Sequence, residues 1–391
     1  MLNAELYNCF YTTIFIILLT IGNRKFLPEI AENMKKIAVL LFFVLAVTGT
    51  YSAEPSWYKL LTGTIDSYPI TMSLVKFGDE VRGFYYYDKY KQPMDVYGNV
   101  KGDSITLYSY SGYDDSESFK GILKGSSFAG TWDKPSQNKV YNFSLTADKK
   151  QSGNFEFVYV EGKERFFKDL ESPFCNYTEG TIWPTDSYAN AQFIRNYILK
   201  SKNMKTGASK IGEQMLANKK KFNKEFKEYN KDLNRDDMGD GWSYSIESQN
   251  INIPVFFNDK LFVLSNFDYS YTGGAHGNYG TFFANLDLKR KKVLTLDDVI
   301  TKKGIEKLPG LLEKYFKIQR GVPQEKTLQD AGLFLDTIPV NENFMISPGN
   351  IMFNYIPYEI ASYADGEIKI TIPFSEISEF IKPEVKDLFK D

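Results

Sequence analysis

Side chains that commonly carry chemistry are scarce in this chain. Its 391 residues include one histidine, His276, and two cysteines, Cys9 and Cys175. One imidazole and one thiol downstream of the N-terminal segment cannot build a structural zinc site of the Cys/His type. A Ser-His-Asp triad would have to use His276, yet no G-x-S-x-G turn occurs. Gly125–Ala129 (GSSFA) lacks the closing glycine. Ser136–Lys139 matches S-x-x-K, but in a loop between strand-like runs rather than at the start of a helix. Asp236–Glu247 has the outline of a calcium loop, with Met238 where an oxygen ligand is needed. Paired carboxylates for glycoside hydrolysis stay open, because separation in space is not visible in sequence. No cofactor, no metal and no catalytic residue are expected.

The histidine lies in YTGGAHGN, residues 271–278. Gly273, Gly274 and Gly277 permit positive φ, so the chain can turn sharply after Tyr269 and Tyr271. His276 then stands at the exit of the turn, where its two ring nitrogens could tie the loop down. Contact with a ligand or partner is the alternative.

The elements that position this turn read as α+β. Residues 58–146 alternate with period two, as in Ile70/Met72/Leu74 and Val81/Gly83/Tyr85/Tyr87, and show no helical segment. About eight short strands with glycines inside them predict an N-terminal all-β antiparallel barrel, with a sandwich as the alternative. This domain, 54–150, is rich in tyrosine: FYYYDKY at 84–90 and YSYSGY at 108–113. Outward rings could serve as contact anchors, although aromatics favour strands in any case. A helix capped by Ser187 and a second over 208–233 follow. The second carries the stripe Ile211, Met215, Phe222, Phe226, Tyr229, Leu233. Strands return over 242–286, helices are expected at 304–318 and 324–335, strands near 343–356 and 366–373, and a short helix from Phe374.

Residues 34–53 have the layout of a signal peptide. Lys35 and Lys36 precede the apolar run Ile37–Val47, which is shorter than the roughly 20 residues of a spanning helix. Residues 1–33 are expected to lie upstream of the true start at Met34. With 1–53 removed, 43 basic and 46 acidic residues remain, a net −3. That balance gives no basis for nucleic-acid binding. No cysteine follows the apolar run, so a periplasmic or secreted protein with no membrane anchor after cleavage is expected.

Three stretches carry a family resemblance: YTGGAHGN, NLDLKRKKVLTLDDVI at 285–300, and FNYIPYEIASYADGEIKITIPFSEI at 353–377. They resemble the RsiV-like C-terminal domain (286–391), and 155–285 is similar to the PdaC-like domain that commonly precedes it. The resemblance implies an α+β envelope module. Relatives include a lysozyme-binding anti-sigma factor and the accessory region of a peptidoglycan deacetylase. A lysozyme-like protein or peptidoglycan is the implied partner. Tyr269, Tyr271, Gly273, Gly274, His276, Tyr358 and Glu359 are the candidate contact residues. A cell-wall hydrolase using paired carboxylates, or a small-ligand carrier built on the barrel, are the alternatives.

Overall fold

The computed structural model describes residues 56–110, 116–207 and 210–389. The expected signal peptide at 34–53 and the upstream segment 1–33 lie outside these residues. Eight antiparallel strands close into a barrel: β1 (Trp57–Ile65), β2 (Tyr68–Phe77), β3 (Glu80–Tyr87), β4 (Met94–Lys101), β5 (Ser104–Tyr110), β6 (Ser116–Lys124), β7 (Ser127–Lys134) and β8 (Lys139–Ala147). The barrel expectation holds and the sandwich does not, because β1 pairs with β8 over Leu61–Ile65. The strand glycines Gly83 and Gly98 let adjacent backbones meet. A Cβ at either would lie 1.8 Å from a carbonyl oxygen of the next strand.

Inward side chains fill this barrel. Tyr85, Phe119, Phe128 and Phe143 are buried, with ring centroids 4.8–5.4 Å apart in edge contacts. An eight-stranded barrel has just enough interior for such packing, so rings occupy the space that a small ligand would need. The tyrosines divide between the faces: Tyr85 is buried, while Tyr90, Tyr97 and Tyr108 are exposed.

A short helix, α1 (Lys149–Ser152), leads to a six-stranded sheet of order β14-β13-β12-β11-β10-β9. Its strands are β9 (Phe155–Arg165), β10 (Phe174–Pro184), β11 (Ile246–Phe257), β12 (Leu261–Tyr271), β13 (Asn278–Asp287) and β14 (Lys292–Leu294). All neighbours are antiparallel except β10 and β11. A parallel pair needs a long crossover, and α2 (Ala191–Ser201) and α3 (Ile211–Tyr229) supply it. Next come α4 (Leu296–Val299), α5 (Lys302–Ile305) and α6 (Leu308–Arg320). A three-stranded antiparallel sheet follows: β15 (Phe344–Ser347), β16 (Asn350–Tyr355) and β17 (Ile368–Pro373). The last α-helix is α7 (Pro383–Lys386). Helix α6 buries Leu308, Leu312 and Phe316 at four-residue spacing and ends on Gly321 at φ +65°. Among the described residues no helix is long and apolar enough to cross a membrane.

Four local expectations are corrected. Ser187 does not cap α2; its hydroxyl bonds Thr185, and the helix starts after Asn190. Helix α3 stops at Tyr229, which is exposed, and leaves Leu233 outside the stripe. The reason is Asn230, whose buried amide donates to the Phe226 and Tyr244 carbonyls and so competes with further helix. No helix forms over 324–335. Thr327 and Asp330 bond each other reciprocally around a single turn, which Gly332 ends at φ +92°. At Phe374–Glu376 there is one 3-10 turn rather than a terminal helix.

The barrel and the six-stranded sheet share a core. Tyr58, Val75, Phe77 and Phe84 face outward from β1–β3 and pack into the same buried cluster as Phe155, Phe157 and Phe262. Phe77 stacks on Phe157 at 5.7 Å, and Ser73 donates to the Pro254 carbonyl at 3.0 Å. Strand β2 is therefore buried on both faces over most of its length.

Candidate functional site

Strands β12 and β13 form a hairpin whose connection, 272–277, holds the expected glycine–histidine turn. Gly273 has φ +87°, and a Cβ there would come 2.4 Å from the Ser243 carbonyl oxygen. The turn is thus pressed against the 3-10 segment Trp242–Tyr244. Gly274 has φ +98° and open space around it. Tyr271 spans the turn: its hydroxyl donates to the Gly274 carbonyl at 3.0 Å and lies 3.4 Å from that of Trp242.

The imidazole of His276 is held on both nitrogens. Nδ1 lies 3.0 Å from the Gly277 carbonyl, which can only accept, so Nδ1 carries the proton. In the neutral ring Nε2 then accepts from the Tyr358 hydroxyl at 3.2 Å. The ring stacks on Tyr363 with centroids 3.9 Å apart. Tyr363 donates its own hydroxyl to the Gly277 carbonyl at 2.8 Å. Beneath them Gly277 is buried against Tyr269, whose ring stands 2.4 Å from where a Cβ would be. Burial raises the phenol pKa of Tyr269, with Glu247 adding to it.

Tyr358 is 54% exposed and sits at φ +70°. The left-handed region costs a side-chain-bearing residue about 1–2 kcal/mol. Surrounding bonds impose it. Tyr358 N–H donates to the Ala361 carbonyl at 3.1 Å, and Glu359 N–H to that of Ile356 at 3.0 Å. Glu359 in turn accepts from Ile356 N–H and from the Asn341 amide. Its carboxylate, although exposed, is thus bonded into the turn.

All seven residues singled out from the sequence therefore lie in the 272–277 turn, contact it or brace a residue that does. Three aromatic members were missed. Trp242, half exposed and edge-on to Phe174 at 5.2 Å, sat in the acidic stretch read for calcium. Tyr363 lay inside the ASYADG motif, and Tyr279 just past the turn touches it edge-on at 5.7 Å. Among the described residues no group of three or more His, Cys, Asp or Glu could hold a metal ion.

Residues 297–375 match the family described as a protein of unknown function, DUF3298. Among solved structures, a DUF3298 family member from Bacteroides fragilis is similar: 26% identical, TM-score 0.52, covering 61% of this chain and 97% of that one. A DUF3298 family protein from Pseudomonas aeruginosa PAO1 is 18% identical with a TM-score of 0.42, over the same shares of the two chains. No functionally curated protein matches. Tyr358, Glu359 and Tyr363 fall inside the matched segment, and the His276 turn precedes it. The chain thus carries a DUF3298 domain at 297–375, with structural neighbours in that family.

Proposed function

We propose that this chain is an exported, non-enzymatic binding protein of the cell envelope. Its recognition surface is the aromatic platform on the 271–278 turn, and its partner is a lysozyme-like protein. One observation carries the reading: a strained backbone holds the exposed ring of Tyr358 against His276. Strain retained at a solvent-facing aromatic argues for a role outside the fold. Stiff amphipathic rings such as Tyr and Trp are the usual anchors of protein contacts. The resemblance to the RsiV-like domain supports the partner class, and the signal-type N-terminus supports export.

The test is a titration of residues 54–391 with a c-type lysozyme, at physiological and at high salt. At net −3 a basic partner is attracted without specificity, and salt screens that term. Saturable binding that persists at high salt is expected. Tyr358→Ala should weaken it about 30-fold, the 2 kcal/mol scale of an interface anchor. Unchanged affinity in Tyr358→Ala and His276→Ala would remove this surface. Release of reducing ends from purified cell wall would favour a hydrolase instead.

A further inference from the structure

The geometry points to a second binding site, for a neutral oligosaccharide, in the cleft where the barrel meets the C-terminal sheet. The cleft measures about 1090 Å³. Barrel strands β3 and β4 form one wall, with Arg82, Tyr97 and Asn99 along it; β13, α6 and β17 form the other, with Tyr279, Gln319 and Glu367. Binding clefts favour such domain junctions, and ordinary small-molecule sites occupy about 300–1,000 Å³. This one lies just above that range, which suits a ligand of several rings better than a single sugar.

The charges decide the ligand class. Three basic and four acidic side chains line the cleft. They are largely matched within the walls: Arg82 pairs with Glu80 at 2.7 Å, and Lys369 pairs with Asp95 and lies 4.0 Å from Glu367. A phosphate or polyanion needs a surplus of positive charge, which is absent here. What the walls offer is planar polar groups beside aromatic rings. Tyr97 is 47% exposed. Amide, carboxylate and guanidinium groups match neighbouring sugar hydroxyls, and ring faces match the apolar C–H faces of a pyranose. The cleft is also preformed. Beyond the shared core, Gln92 of the β3–β4 connection donates to the Thr371 hydroxyl at 3.3 Å.

This site meets the Tyr358 platform only at Tyr279, and its test uses no variant of that shared residue. The protein is titrated by calorimetry with chitotetraose, cellotetraose and maltotetraose. Saturable binding to at least one is expected. Asn99→Trp, an exposed position on the barrel wall, puts a bulky ring into the cleft and should weaken binding at least about tenfold with an unchanged melting profile. Tyr97→Ala should weaken it similarly, whereas Tyr97→Phe and Tyr358→Ala should bind as wild type. The proposal is overturned by no binding to any of the three, or by binding that Asn99→Trp leaves intact. Loss in Tyr358→Ala would overturn it too, as it would put the sugar on the platform. So would binding confined to a sulfated oligosaccharide.

Discussion

Replacing Tyr358 by glycine and by alanine separates two roles of one residue. Both variants delete the ring and its bond to His276. Both keep the backbone bonds to Ala361 and Ile356 that impose φ +70°. Alanine retains the left-handed cost of about 1–2 kcal/mol, and glycine does not. Glycine gives back about 0.4–1 kcal/mol through its freer unfolded chain. The balance leaves Tyr358→Gly more stable than Tyr358→Ala by about 0.5–1 kcal/mol, the reverse of the order at ordinary positions. Urea denaturation measures this directly. The melting temperatures should differ by about 1–4 °C, since a large domain shifts about 2–4 °C per kcal/mol. Lysozyme affinity, if the proposed surface is right, falls by the same factor in both. A glycine variant no more stable than the alanine one would refute the strain. Wild-type affinity in both would refute the use of the ring.

Gly273→Ala should cost about 2–3 kcal/mol, because its Cβ meets the Ser243 backbone as well as the left-handed penalty. Gly274→Ala, in open space, should cost about 1 kcal/mol; equal losses by denaturation would contradict the contact with Ser243. Burial raises the Glu367 carboxyl pKa above its ordinary 4.5, against the Thr281 N–H that lowers it. The folded state then holds the proton more tightly than the unfolded one. That contribution is full below pH 4.5 and is lost as pH climbs through the raised folded value. Glu367→Gln has no such proton, so its stability relative to wild type should rise as the pH climbs from 4.5 through the raised folded value in urea titrations. A pH-independent difference would show that burial does not dominate. Burial, then Glu164, pushes the Cys175 thiol up to about 11. Its native reaction with a thiol reagent at pH 8 should be about 100-fold slower than in denaturant; matching rates would mean an accessible thiolate.

The barrel was legible because period-two alternation reports which face is inside, and Ile70, Met72 and Leu74 all point inward. The other face of β2 held a second message. Val75 and Phe77 are apolar too, because both join the core shared with the next domain, where Phe77 stacks on Phe157. A doubly apolar strand at the wall of a small barrel signals docking, but sequence does not name the surface it meets. Helix α6 was legible from its periodicity, while 324–335 carried similar periodicity and failed at Gly332 and the Thr327–Asp330 turn. Local side-chain bonds outweighed hydrophobic spacing there.

The site divides along the same line. His276, its glycines and Tyr271 stood out because the turn is local. The stack of His276 on Tyr363 joins positions far apart in the chain, and nothing in either stretch announces it. The hairpin and the 356–366 segment must dock before the Gly277 carbonyl can accept from both His276 and Tyr363. That double acceptance fixes the imidazole, which in turn fixes the Tyr358 hydroxyl. Such pre-ordering lowers the cost of immobilising side chains on binding. It also accounts for a positive-φ tyrosine on an exposed turn: the backbone strain aims a ring that a relaxed turn would leave free to rotate. Tyr279 extends the chain of contacts inward, edge-on to Tyr363 while lining the cleft. The platform and the cleft therefore touch at Tyr279 alone, while His276, Tyr358 and Tyr363 stay outside the cleft lining, so a ring can be removed from the platform without opening the cleft wall.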